Sequence, residues 1–338
     1  MINNYKVFDA TLRDSSYAVN FQFSKQDTME ICYELEKSGI NYIEVGHGLG
    51  LGASSSKLGF AKEKDVDYLI AARNSLKKAK FGAFFIPGIG NNSDIKKAEK
   101  EGASFIRIGQ DINKIDECRN FCDLAKNSNL TVFVNAMKTY LITPIQLAKV
   151  VKKIDDWNNT DIFYIVDSSG SMLPSDIKEY LKVVKDNTNM EIGFHGHNNL
   201  GMANANSCIA LENGASFIDG TLGGVGRSAG NAQTEILCDL AFRFDKGKTY
   251  DIPRLFKLFE KNILPMIKEN QGIKPVDVML GISKIHSSHL TKIKNIADKY
   301  KINFYNFLYE LKSLSNQEVT DEVVENLAAS LKSKYFEE

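Results

Sequence analysis

The sequence predicts an α/β fold: a (β/α)8 barrel followed by a mostly helical C-terminal extension. Three observations predict it. Eight short apolar or β-branched runs recur in the first two thirds of the chain, amphipathic segments separate them, and polar clusters follow several of the runs. The runs are residues 6–10, 41–45, 81–86, 105–108, 131–134, 162–166, 191–194 and 217–220. Most are too apolar for a sheet with one wet face and read as strands buried on both sides. Helical periodicity marks 25–38, 66–78, 93–101, 116–127, 144–156, 174–186 and 204–213. Several of these end at Gly, as helices often do: Ser38-Gly39, Glu101-Gly102 and Asn213-Gly214. A doubly wound open sheet is the rival. The strand count and the polar clusters favour the barrel, because barrel strand ends converge on one face where the βα loops build a site. Beyond residue 250 the rhythm changes: 251–269, 275–282, 287–300 and 303–334 read as helices without strands. The expected division is therefore a barrel over 1–250 and a helical extension over 251–338.

Composition narrows the class. The 338 residues carry 42 positive and 42 negative charges, with 43% hydrophobic and 25% charged residues. That is ordinary globular usage and excludes a chain disordered throughout. Zero net charge gives no general pull toward nucleic acid or an anionic membrane. No apolar run approaches the roughly 18–20 residues that span a bilayer, and residues 1–6 hold no apolar leader segment. The five cysteines are odd in number and scattered, a poor disulfide framework. Cys118 and Cys122 lack a matching Cys/His pair and read as structural. A reducing cytoplasm is the expected compartment.

His195-Gly196-His197 follows a predicted strand. Residues i and i+2 of a strand point the same way, so two imidazoles can grip one cation from one wall. Two hydrogen-bonded histidines at a strand end would read the same way in isolation. Asp14, in Thr11-Leu12-Arg13-Asp14, also follows a strand. One carboxylate and two imidazoles at a barrel mouth form a facial set with open positions, suited to Mn²⁺, Fe²⁺, Co²⁺ or Zn²⁺, with Mg²⁺ accepted. Arg13 precedes that carboxylate and reads either as a stabiliser of negative oxygen or as a salt-bridged core residue. The glycine-rich stretch 223–231 lacks the dinucleotide-binding spacing; it is an anion-binding loop or a tight turn.

Five motifs occur in one order: Thr11-Leu12-Arg13-Asp14, Ile43-Glu44-Val45-Gly46-His47-Gly48, Val166-Asp167-Ser168-Ser169-Gly170, His195-Gly196-His197-Asn198-Asn199-Leu200-Gly201, and Gly226 with Gly230-Asn231. Together they resemble the metal-dependent aldolases and acyltransferases related to hydroxymethylglutaryl-CoA lyase and isopropylmalate synthase. Pro87-Gly88-Ile89-Gly90, Thr143-Pro144 and Gly281 with Ser287-Ser288 narrow the resemblance to the 4-hydroxy-2-oxovalerate aldolases, over roughly 5–315. It implies a carbon–carbon lyase that cleaves or forms a 4-hydroxy-2-oxo acid from pyruvate and an aldehyde through a metal-stabilised enolate. Claisen-type condensation of an acyl-CoA with a 2-oxo acid is the alternative, and a non-enzymatic scaffold the third reading.

The resemblance implies a ligand set of Asp14, His195 and His197, with Asn231 near it, and Mn²⁺ as the preferred ion. It implies that Arg13 stabilises the enolate oxygen, that Ser168 holds the substrate carboxylate, and that Glu44, counted with the substrate-binding residues, orients Arg13 or a metal-bound water; a buried strand-end carboxylate is its other reading. His47 is retained from the family pattern as a pocket candidate; a loop hydrogen bond is its other reading. The family has His where this chain has Tyr17, and Tyr where it has His286. An exchange follows, in which His286 does the proton work and Tyr17 supports it by a hydrogen bond; imidazole is better suited than phenol to base catalysis near neutrality. Lys138 stands where the aldolases carry an apolar residue; it faces the pocket as an anion binder or reaches solvent. Arg227 replaces a small residue and His289 an apolar one. The family also implies a homodimer and an acylating aldehyde dehydrogenase as partner.

Overall fold

The computed structural model of the protein describes residues 5–268, 272–314 and 319–335. The leader reading of residues 1–4 and the expected helix end at Glu269 lie outside the described residues.

Eight parallel strands close into a barrel in sequence order. They are β1 Lys6–Asp9, β2 Tyr42–Glu44, β3 Lys80–Phe85, β4 Phe105–Asp111, β5 Thr131–Met137, β6 Ile162–Asp167, β7 Glu191–Gly196 and β8 Phe217–Gly220. β1 pairs with β8 over four positions, from Lys6 opposite Phe217 to Asp9 opposite Gly220. Each expected run became a strand because its side chains alternate between two apolar environments. On β5 and β6, Phe133, Ile162, Tyr164 and Val166 point into the barrel, while Val132, Val134, Phe163 and Ile165 pack outward under the helices. The inner aromatics plug the barrel: Phe105 meets Phe133 at 5.3 Å between ring centroids, and Phe133 meets Phe217 at 5.4 Å.

Eight helices cover the strands: α1 Lys25–Lys37, α2 Asp65–Ser75, α3 Asn92–Lys100, α4 Arg119–Asn127, α5 Pro144–Asp155, α6 Pro174–Asn187, α7 Ala203–Glu212 and α8 Thr234–Phe244. Capping boxes start α1 at Ser24 with Asp27, and α5 at Thr143 with Gln146 and Pro144 at the first position. α8 has no counterpart among the expected helices. Gln233 gives its start no side-chain cap, so no start signal precedes its apolar face Leu237, Cys238 and Ala241. The expected helix 116–127 begins only at Arg119, because tight turns occupy Ile112–Cys118.

The extension holds α9 Ile252–Leu258, α10 Pro275–Ser283, α11 Leu290–Tyr300, α12 Phe304–Glu310 and α13 Asp321–Tyr335. The expected helix 251–269 breaks up: a wide turn Phe259–Ile263 and a tight turn Leu264–Met266 follow α9. Pro265 lacks the N–H that an interior helical turn requires. The expected helix 303–334 likewise divides, with a tight turn at Leu311–Leu314. Leu255, Leu258 and Ile263 pack into the barrel's outer core. Leu280, Ile285, Ile293, Phe307 and Val324 form a separate core.

Candidate active site

β1 delivers Asp14 through a single helical turn, Thr11–Asp14, whose four residues are all buried. Asp9 accepts from the Thr11 N–H at 3.0 Å, and the Leu222 N–H donates to Thr11 Oγ1 at 2.9 Å. The loops after β1 and β8 are thus tied together. His195 lies inside β7, and an isolated bridge pairs His197 with Asn231. The structure gathers Asp14, His195 and His197 so that one ligand atom of each lies within 4.8 Å of the others.

The surroundings of these three side chains fit a divalent cation. His195 Nδ1 faces Asp219 Oδ2 at 3.0 Å, and His197 Nδ1 faces the Gly230 carbonyl at 3.3 Å. Both Nδ1–H groups are donated, which leaves both Nε2 lone pairs for a ligand. Buried Asp14 Oδ2 and Asn231 Oδ1 have no hydrogen-bond partner. Burial alone would raise the Asp14 carboxyl, but Arg13, His197 and His195 hold it well below the usual carboxylate range. Burial pushes His197 down to about 4, against the opposing pull of Asp14. An ionised carboxylate and two neutral imidazoles are the donor states a metal needs.

A buried charge network stands behind this set. Arg107, fully buried, reaches Asp219 at 2.5 Å and Glu44 at 3.4 Å. Its guanidinium is sandwiched between the rings of Phe8 at 4.3 Å and Tyr164 at 4.5 Å. Tyr164 donates its hydroxyl to Asp219 at 2.9 Å. Glu44 accepts from Arg13 Nε at 2.7 Å. Asp14, Glu44 and Asp219 outnumber Arg13 and Arg107 by one charge, and a cation at Asp14 offsets the excess.

A cavity of about 280 Å³ opens over these residues, lined among others by Arg13, Asp14, Tyr17, Ser168, Arg227 and His286. Ser168 sits in the turn after β6, where Asp167 accepts from the N–H groups of Ser171 and Met172 at 3.0 and 2.9 Å. Gly48 forms another wall: a Cβ there would meet the Tyr17 ring at 2.6 Å. Lys138 also lines the cavity, with its Nζ 2.7 Å from Asp111. Its ammonium is thus paired at the cavity wall, with part of the side chain still open to solvent.

Two placements are corrected: Glu44 and His47, expected beside the substrate, do not line the cavity, although Glu44 keeps its expected contact with Arg13. Glu44 is fully buried behind Arg13 and does not line the cavity, so it positions Arg13. His47 is occupied by its own loop. Its Nδ1 accepts from the Leu49 N–H at 3.1 Å, its Nε2 donates to the Gly59 carbonyl at 3.2 Å, and it stacks on Phe21 at 4.0 Å. A third correction concerns Tyr17 and His286, which do not hydrogen-bond each other among the described residues. Arg227 stands between them, its guanidinium 4.0 Å over the Tyr17 ring and 3.3 Å from His286 Nε2. Since guanidinium only donates, His286 Nε2 accepts, and Nδ1–H donates to Ser288 Oγ at 2.7 Å. Burial, then the charges of Arg227 and Lys138, hold His286 well below the ordinary imidazole value. It is a neutral base at neutral pH.

Asp111, Asn135 and Arg107 were not singled out from sequence. Their signal was a polar residue within or ending an apolar strand. Asn135 Oδ1 is buried without a partner, and the residue lines the cavity.

The HMGL-like family model matches residues 4–244. The 4-hydroxy-2-oxovalerate aldolase of Carboxydothermus hydrogenoformans is 34% identical over 331 residues, 98% of each chain. The 4-hydroxy-2-oxovalerate aldolase 2 of Rhodococcus jostii is 34% identical over 337 residues, covering 100% of this chain and 98% of its own. The carboxyl transferase domain of Rhizobium etli pyruvate carboxylase shares the fold, with a TM-score of 0.77 at 14% identity, over 98% of this chain and 60% of that one. On the family-model match over most of the chain and relatives 34% identical over nearly its whole length, the chain belongs to the HMGL-like family and, within it, to the 4-hydroxy-2-oxovalerate aldolases.

Proposed function

We propose that this protein is a divalent-metal-dependent aldolase that cleaves or forms a 4-hydroxy-2-oxo acid from pyruvate and an aldehyde. The observation that carries this is the Asp14, His195 and His197 cluster beside Arg13 at the floor of a cavity whose far wall is a neutral histidine. Relatives named as aldolases over nearly the whole length disfavour the acyl-CoA condensation.

Asp14, His195 and His197 would hold the metal, with Asn231 beside them. The ion would supply Lewis acidity toward a chelating 2-oxo acid. Ser168 binds the substrate carboxylate through its hydroxyl, in the turn that Asp167 holds by accepting from the Ser171 and Met172 N–H groups. Arg13, held by Glu44, hydrogen-bonds the C2 oxygen, where negative charge develops as the C3–C4 bond breaks. His286 Nε2, exchanging the Arg227 N–H it accepts here for the 4-hydroxyl, takes that proton; C4 leaves as the aldehyde carbon, and the C3–C4 electron pair becomes the enolate, which takes a proton at C3 to give pyruvate. Synthesis runs these transfers backward. Tyr17 packs under Arg227 and holds it against His286.

The barrel 1–250 carries the metal set and the extension 251–338 the base. Mn²⁺ is our choice of ion, a homodimer our choice of assembly, and an acylating aldehyde dehydrogenase the partner that would consume the aldehyde. The described cysteines are all free, which supports a reducing cytoplasm. No helix among the described residues is long and apolar enough to cross a membrane.

Pyruvate release from a series of 4-hydroxy-2-oxo acids, with and without chelator, tests the reading. Chelator-sensitive release is expected. Full turnover by stripped protein, or none by the Mn²⁺-loaded form, overturns it.

A further inference from the structure

Arg227 is a half-buried guanidinium that makes no ion pair among the described residues, although its charge helps hold the Asp14 carboxyl down. It stacks on Tyr17 and donates to a neutral imidazole. Among the described residues no carboxylate lies within ion-pair distance of it. Lys138, by contrast, is neutralised by Asp111. The loop that carries Arg227 is tied down beside it. Neighbouring Ser228 donates to Asp277 of α10 at 2.5 Å and accepts from Asn199 at 3.1 Å. Gly230, at φ +80°, closes the same loop so tightly that a Cβ would meet the Gly224 carbonyl oxygen at 2.1 Å. The loop therefore fixes a guanidinium, the side chain best matched to a planar or tetrahedral oxyanion, at the cavity wall.

Its position assigns it to the aldehyde half of the substrate. Arg227 touches His286, the group that meets the 4-hydroxyl, whereas Ser168 and Arg13 serve the oxo-acid half. Behind His286 the space continues. A second cavity of about 150 Å³ shares Asp111, Lys138 and His286 with the first and adds Lys114, Lys284 and His289 to its lining. The extra room has apolar walls at Leu141, Ile285 and Val319, with Lys114, Lys284 and His289 also at its edge.

We infer that the acceptor is an aldehyde bearing a carboxylate or phosphate, and that Arg227 binds this anionic group. This rests on the aldolase reading above.

The test uses Mn²⁺-loaded full-length protein, pyruvate and matched aldehydes. Succinic semialdehyde is compared with its neutral isostere 4-methylpentanal, and glyceraldehyde 3-phosphate with glyceraldehyde; the two pairs separate carboxylate from phosphate. We expect kcat/KM at least tenfold higher for the anion in one pair. We expect Arg227→Gln to collapse that ratio toward unity and Arg227→Lys to restore part of it, whatever the absolute rates. Equal or lower rates for both anions overturn the proposal while leaving the aldolase reading intact. So does an anion preference that Arg227→Gln does not alter. If nothing turns over, and pyruvate C3 protons do not exchange with deuterated solvent, the aldolase reading fails separately. Ligand-observed NMR with the same aldehydes then decides the proposal: tighter anion binding that Arg227→Gln abolishes sustains it, and its absence overturns it.

Discussion

His195 and His197 owe their ligand character to what lies behind them. Asp219 claims one Nδ1 and the Gly230 carbonyl the other. Asp219→Asn keeps the shape but ends the carboxylate's hold on His195; Mn²⁺ affinity should fall by roughly 10–100-fold, measured by calorimetry. An unchanged affinity would show that Asp219 serves only Arg107. His286→Ala should lower kcat by about 10²–10⁴-fold, the usual worth of a positioned base, with little change in the KM for pyruvate. The pH profile gives a second reading of the same residue. A base works when neutral, and His286 is held below the ordinary imidazole value by burial and by Arg227 and Lys138. The acid limb of kcat/KM should therefore lie below about 6.5 and move upward in Arg227→Gln, which removes one of the cations.

At the scale of elements, the site is a meeting of strand ends with one foreign segment. His286 sits between α10 and α11, and the extension core beneath it includes Phe307 and Leu280, both fully buried. Phe307→Ala should destabilise by about 3–5 kcal/mol. Because its core is separate from the barrel's, activity should melt before Mn²⁺ binding does; differential scanning calorimetry and a metal titration through the transition would show it. The strands were legible because each is an apolar run, and the metal set because its residue types carry the chemistry. What was not legible depended on closure. Arg107 lies 63 residues from Glu44 and 112 from Asp219, and Arg227 lies 59 from His286. No local pattern announces pairs so distant. Arg107 does show one trace, a lone charge within an apolar run, which a barrel interior tolerates only when it is paired. The sequence offered Tyr17 and His286 as a facing pair, but the arginine between them was not foreseen, because loop geometry placed it there.

At the scale of the whole molecule, buried carboxylates shape the response to pH. Burial raises Glu235 to about 7, although it accepts from the Gly223 N–H. A carboxyl raised in the folded state favours folding while protonated, and that contribution fades as pH rises from about 4.3 through the folded value near 7. Glu235→Gln should therefore gain stability relative to the parent as pH is raised from 5 to 8, read as the difference in Tm. A difference that does not grow with pH would place the titration elsewhere. The division of labour between barrel and extension has a consequence in biosynthesis. A ribosome emits Asp14, His195 and His197 well before His286, so on the proposed assignment the cation ligands are made while the proton acceptor is still untranslated. On that assignment the site is complete only once the segment between α10 and α11 is in place.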